Sequence, residues 1–296
     1  MKKTNNFLIM MMLSPVLFWN CGGESKKVAE EETLVEVEEE KVEPSLTLLW
    51  ETPEELTTCE SVLVDEDTGI IYVSNIAGDP REKDGVGFIS IINKNGEIEE
   101  KEWVAGIDAP KGMGILEGKL YVTNIDELVE IDIEKAEIAH RYAVEGAGFL
   151  NDVDVYGGKV YFSDMETGKI HVLEAGEISE YAAEQKSVNG LRLDDDGILY
   201  SLDGAGLKKY SEGGAVEVLN SEVTGGDGLI VLGDNDFLAS RWIGEIWIVQ
   251  DGSATKLLDT KDAGANTADI GYLEKEQIVL VPTFMKNKVT AYKLSY

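Results

Sequence analysis

An all-β chain closed into a six-bladed β-propeller is the fold that the sequence predicts. Two observations predict it: a strand-turn-strand unit recurs six times, and successive copies begin about forty residues apart. The clearest copy is Ser187–Asp203, SVNGLRLDDDGILYSLD, where Leu191/Leu193 and Ile198/Tyr200/Leu202 alternate with polar residues on either side of Asp194-Asp195-Asp196-Gly197. Copies align at ESVLVDEDTGIIYVSN, KGMGILEGKLYVTN, NDVDVYGGKVYFSD, DGLIVLGDNDFLAS and ADIGYLEKEQIVLVPT. Their leading residues fall at 60, 111, 151, 189, 227 and 268, in steps of 51, 40, 38, 38 and 41. Such a unit cannot bury its own apolar faces, so neighbours must stack and the ring must be sealed where the chain ends meet.

In chain order, residues 1–20 read as an export signal. Met1-Lys2-Lys3 is a basic start, and the apolar run from Phe7 to Trp19 is too short to span a bilayer. Cys21, followed by Gly22-Gly23, resembles the lipid-modified cysteine of a bacterial lipoprotein, although Phe18, Trp19 and Asn20 stand where the usual motif has leucine and small residues. The resemblance implies an exported protein of the bacterial cell envelope, in the membrane or periplasm compartment and anchored by lipid on Cys21. Residues 21–45 form an acidic tether: Glu24 to Glu43 has no aromatic residue and too little apolar surface to offset its ordering entropy.

The chain carries 57 acidic against 26 basic residues, a formal charge of −31, which excludes nucleic acid as a partner and disfavours attraction to anionic lipid. Cys59 is the remaining cysteine. If Cys21 carries lipid, no intramolecular disulfide can form, and Cys59 reads as a space-filling thiol.

The propeller occupies residues 46–296. Leu46 to Trp50 is an apolar strand without a hairpin partner, and Lys288 to Leu294 supplies only the third strand of the last blade. Leu46–Trp50 is therefore expected as that blade's outermost strand, joining the two ends and removing an exposed edge. The leading residues are expected at one mouth of the channel. Ser74-Asn75, Thr123-Asn124, Ser163-Asp164, Asp203-Gly204, Arg241-Trp242 and Thr283-Phe284 are expected as its rim, with the Asp194–Gly197 turn on the opposite face. The first repeat is longest, and its surplus, Ile76 to Gly87, lies over the mouth as either a lid or a tolerated insertion.

In blade order the leading residues are Glu60, Lys111, Asn151, Asn189, Asp227 and Ala268. Two carboxylates and two amides at one phase supply the oxygens that a hard cation such as Ca²⁺ prefers, and the set lacks the histidine and cysteine that favour zinc or copper. His140 and His171 fall on later strands of their blades, away from the mouth.

This ordered set resembles the senescence-marker-protein/gluconolactonase family of six-bladed propellers, whose relatives include diisopropyl fluorophosphatase and the paraoxonases. Glu60 in CESVLVD, Asn151 in FLNDV, Asn189 in VNGL and Asp227 in GGDGL look like that family's metal-holding Glu, Asn, Asn and Asp. The resemblance implies a calcium ion at the channel mouth and hydrolysis of lactones or related esters, with Asp227 or a metal-bound water as base or nucleophile. Two positions depart from the pattern. Lys111 places an ammonium in the ring, where it could pair with Glu60 and Asp227 in place of the ion, and Phe149-Leu150 stand where the family has an arginine. Two functions therefore remain: a calcium-dependent hydrolase of a small-molecule substrate, or a non-catalytic envelope propeller that binds a ligand or protein at its mouth.

Overall fold

The computed structural model describes residues 43–211, 215–233 and 235–296; the expected signal, Cys21 and nearly all of the expected tether lie outside the described residues. The described chain folds into six four-stranded antiparallel sheets and one short 3-10 turn. Blade 1 is β2 (Cys59–Val64), β3 (Ile71–Asn75), β4 (Gly87–Ile92) and β5 (Ile98–Ile107). Blade 2 is β6 (Pro110–Leu116), β7 (Lys119–Asn124), β8 (Glu127–Asp132) and β9 (Glu137–Ala143). Blade 3 is β10 (Leu150–Tyr156), β11 (Lys159–Asp164), β12 (Lys169–Glu174) and β13 (Glu177–Ala182). Blade 4 is β14 (Leu191–Leu193), β15 (Leu199–Asp203), β16 (Gly206–Tyr210) and β17 (Val216–Asn220). Blade 5 is β18 (Leu229–Gly233), β19 (Asp236–Arg241), β20 (Glu245–Gln250) and β21 (Ser253–Asp259). Blade 6 is β22 (Gly271–Leu273), β23 (Ile278–Pro282) and β24 (Val289–Ser295), completed by β1 (Ser45–Glu51).

The closure expected from the sequence is present, one residue longer at each end. β1 runs antiparallel to β24 from Ser45 opposite Ser295 to Glu51 opposite Thr290. Leu46 packs into the apolar layer of Ile246, Val281 and Leu294, and Trp50 into the layer of Val73, Leu280 and Val289. On the channel side Ser61 bridges Asp269, so blades 1 and 6 are also joined at the axis.

Burial follows position within a blade. The second strands are packed on both faces, and IYVSN of β3 and LYSLD of β15 are buried throughout. The fourth strands, such as EIAHRYA of β9, expose most of their residues and carry the charge. Innermost strands of successive blades lie side by side, and glycine makes this approach possible. A Cβ on Gly190 would collide with the Asp227 carbonyl oxygen of the next blade.

Candidate functional site

The innermost strands do not alternate cleanly where they carry the leading residues. In blades 1, 2 and 3 the register shifts between Cys59 and Val62, Pro110 and Met113, and Leu150 and Val153. Each bulge brackets a leading residue and its successor: Glu60-Ser61, Lys111-Gly112 and Asn151-Asp152. A bulge inserts an extra residue and re-aims the side chains around it, so two consecutive residues can serve the channel. Serine hydroxyls on the second strands take up the displaced amides: Ser74 Oγ accepts from Ser61 N and Ser163 Oγ from Asp152 N, both at 2.9 Å.

The five polar leading residues come together. Glu60, Lys111, Asn151, Asn189 and Asp227 line one cavity of about 350 Å³ at the channel mouth, and all five are buried. Ala268 is buried in an apolar cluster with Ile76 and Phe284 and contributes no polar group. Asn189 Nδ2 donates to Asp227 Oδ1 at 2.9 Å, and Asn151 Nδ2 points at Met165 Sδ at 3.1 Å, so both amide nitrogens are committed to neighbours. Glu60 Oε2 and Asn189 Oδ1 are buried with no hydrogen-bond partner. Buried acceptors are ordinarily satisfied, and two orphans in one ring are what a bound cation would relieve. The residues present fit such an ion through a mixed carboxylate and amide set. Among the described residues no cluster of three or more His, Cys, Asp or Glu side chains could hold one.

Electrostatics point the same way. Burial, then the nearby Asp227 and Asp269, push the Glu60 carboxyl well above the usual range, with Lys111 opposing. Burial and Asp269 raise Asp227 to about 8, against the Asn189 hydrogen bond. Two carboxyls that resist ionisation for want of a counter-charge form a site whose occupation by a cation would expel protons.

Lys111 does not take the place expected of an ion-pair partner. Its Nζ donates to the Ala109 carbonyl at 3.0 Å and lies 4.4 Å from the centre of the Phe149 ring, and its hydrogen bond among the described residues goes to that carbonyl and to neither Glu60 nor Asp227. Desolvation lowers this ammonium to about 8, offset in part by Glu60. A local carbonyl and an aromatic face hold it back from both carboxylates.

The rim needs a correction. Asn75, Asn124, Asp164 and Asp203 are buried and do not line the cavity: Asn75 donates to the Val73 carbonyl and Ser90 Oγ of its own blade, Asn124 Oδ1 accepts from Ala109 N, and the two aspartates bind loop backbone. Asp164 accepts from Gly148 N, Phe149 N and Glu166 N, and Asp203 accepts from Lys186 N and Ala205 N. Of the expected rim residues only Gly204, Trp242 and Phe284 line the cavity. The surplus loop does reach it through Ile76 and Pro80. Arg81 pairs with Glu166 of blade 3 at 2.8 Å and Lys83 with Asp126 of blade 2 at 2.6 Å, so the loop crosses the tops of both blades. Both pairs are solvent-exposed, and such pairs contribute about 0–1 kcal/mol each.

Beneath the ring lies a second acidic layer that reasoning from the leading residues alone missed. Asp152 Oδ2 accepts from Leu191 N, and Asp269 Oδ2 accepts from Ser61 Oγ, both at 2.5 Å. Burial raises Asp269 to about 6 and Asp152 well above its usual range. The signal was present in the repeat, because both follow a leading residue directly. Cys59 is a core thiol, as expected: its Sγ donates to the Lys288 carbonyl and burial pushes it up to about 12. His140 and His171 line an outer groove apart from the mouth, and His171 stacks on Phe162.

No family model matches the chain, and no curated protein does. Solved structures do. A gluconolactonase from Xanthomonas campestris superposes with a TM-score of 0.62 at 13% identity, covering 82% of this chain and 88% of its own. A catalytically inactive virginiamycin B lyase from Staphylococcus aureus, solved with quinupristin, superposes with a TM-score of 0.61 at 14% identity, covering 86% and 100%. The chain shares the propeller fold. At these identities the likeness concerns the fold alone, and the chemistry must come from the side chains at the mouth.

Proposed function

We propose that the chain is a divalent-cation-dependent hydrolase of lactones or related esters, acting at the channel mouth of an exported propeller. The observation that carries this is the pair of buried, unpartnered oxygens, Glu60 Oε2 and Asn189 Oδ1, in the ring that also holds Asn151 and Asp227. These four residues would hold calcium, which when bound supplies a Lewis acid for a substrate carbonyl. The chain's own part is proton transfer. Asp227 takes a proton from water, the water oxygen adds to the carbonyl carbon, the ring carbon–oxygen bond breaks, and Asp227 returns the proton to the departing alkoxide, leaving a hydroxy acid. Asn189 orients that carboxylate through its bond to Oδ1. Lys111 adds positive charge to the cavity where an anionic oxygen develops. The structural likeness to a protein described as a gluconolactonase is compatible with this chemistry.

The purified protein with calcium is expected to open a small lactone, and a chelator should reduce the rate at least hundredfold until calcium is restored. Turnover indifferent to the chelator would remove the cation, and absence of turnover with calcium present would remove the hydrolase. In the latter case a non-catalytic binding propeller is the better account, and Lys111, an ammonium buried among the prospective ligands, is the feature that favours it.

We place this activity at the bacterial cell envelope, with lipid on Cys21, on the strength of the N-terminal signal pattern. Cys21→Ser is expected to abolish incorporation of labelled fatty acid and move the protein from the membrane to the soluble fraction. A wild-type chain without lipid would contradict the anchor.

A further inference from the structure

We propose that the cavity selects carbonyl compounds with an apolar body, alkyl- or aryl-substituted lactones or esters, over polyhydroxylated sugar lactones; this rests on the hydrolase reading of the same site. The polar groups of the cavity are concentrated in its floor, the five ring side chains. Its walls are Ile76, Pro80, Phe149, Met165, Trp242 and Phe284. The remaining arc is Gly204, Gly225 and Gly226, which offer no side chain, and Ser187 carries the one hydroxyl among the lining residues described.

The aromatic walls are fixed in place. Trp242 meets Phe284 edge to face, with centroids 5.5 Å apart at 79°, and the Trp242 carbonyl is held by Asn266 Nδ2 at 2.9 Å. Phe149 is anchored through its backbone N–H to Asp164, and Arg81 sits 4.3 Å from the centre of its ring. With the ring below committed to the reacting carbonyl, the body of the ligand must lie against these walls. Each methylene moved from water onto them gains about fourfold in affinity. Each sugar hydroxyl buried there without a partner loses roughly tenfold. Three methylenes gained or two hydroxyls stranded each separate the two classes by about two orders of magnitude.

Binding can be measured apart from turnover with δ-lactams, whose amide bond resists hydrolysis while the ring carbonyl is retained. Calorimetry on the full chain with calcium is expected to give a Kd for 6-hexyl-δ-lactam at least hundredfold below that for glucono-δ-lactam. Trp242→Ala should weaken the hexyl compound about tenfold and leave the sugar compound unchanged. Trp242 is 42% exposed, so its loss should not disturb the fold. Equal binding, preference for the sugar compound, no binding of the hexyl compound, or indifference to Trp242→Ala would each overturn the proposal. Turnover of the two matching lactones, followed in parallel, separates the failures. Hexyl preference without turnover keeps the selectivity and removes the hydrolase, whereas turnover with sugar preference does the reverse.

Discussion

Asp227→Asn is expected to lower lactone turnover by about 10³-fold while leaving the propeller folded, within the range for loss of a positioned base. The amide preserves shape and still offers an oxygen to Asn189 Nδ2, so the contact across blades 4 and 5 survives. Lost are the negative charge and the proton acceptor. Stability should respond differently from activity. In the ion-free protein Asp227 holds its proton up to about pH 8, whereas the unfolded chain releases it near 3.8. At this group the folded state therefore binds more protons between those values, and the contribution of Asp227 to wild-type stability declines as pH rises through that window. The amide removes the contribution of Asp227 to this slope. In chelator at pH 8 the variant should melt no lower than wild type, and turnover within tenfold of wild type would remove Asp227 as the base.

Deleting Ser45–Glu51 is expected to destabilise the whole ring. The deletion frees the outer side of β24, from Ser295 to Thr290, and strips Leu46 and Trp50 from two apolar layers. Without β1 the N-terminal segment no longer completes blade 6, and β24 becomes its exposed outer edge. Deletion of Glu24–Glu43 should leave the melting temperature unchanged. Should the first truncation fail to fold, Trp50→Ala gives a graded version: about 2 kcal/mol for a half-buried aromatic, a fall of roughly 4–8 °C in Tm. Equal melting temperatures for the two truncations would contradict closure by β1.

How much of this was legible in the sequence depends on which regularity carried it. Blade number, closure and the shared mouth of Glu60, Lys111, Asn151, Asn189 and Asp227 follow from a repeat whose phase survives in every copy. The second acidic layer did not, because strict alternation sends Asp152 to the opposite side of Asn151, and the bulge at Leu150–Val153 cancels that alternation. The rim was misjudged for a related reason. An Asx residue closing a second strand has the same signature whether it faces solvent or binds a loop, and Asp164 and Asp203 bind loops. The position of Lys111 was legible, but not its partners, since its choice of Ala109 O and Phe149 over two carboxylates depends on distances across blades.

Calcium calorimetry on chelator-treated, dialysed protein tests the cation ring most directly. One ion should bind per chain, with an enthalpy that varies with the buffer's own protonation enthalpy, because Asp227, raised by burial to about 8, gives up its proton as the ion binds. Asp227→Asn should weaken binding at least tenfold. No calcium binding by the wild-type chain, or binding that is unaffected by Asp227→Asn, would contradict a cation held by Glu60, Asn151, Asn189 and Asp227.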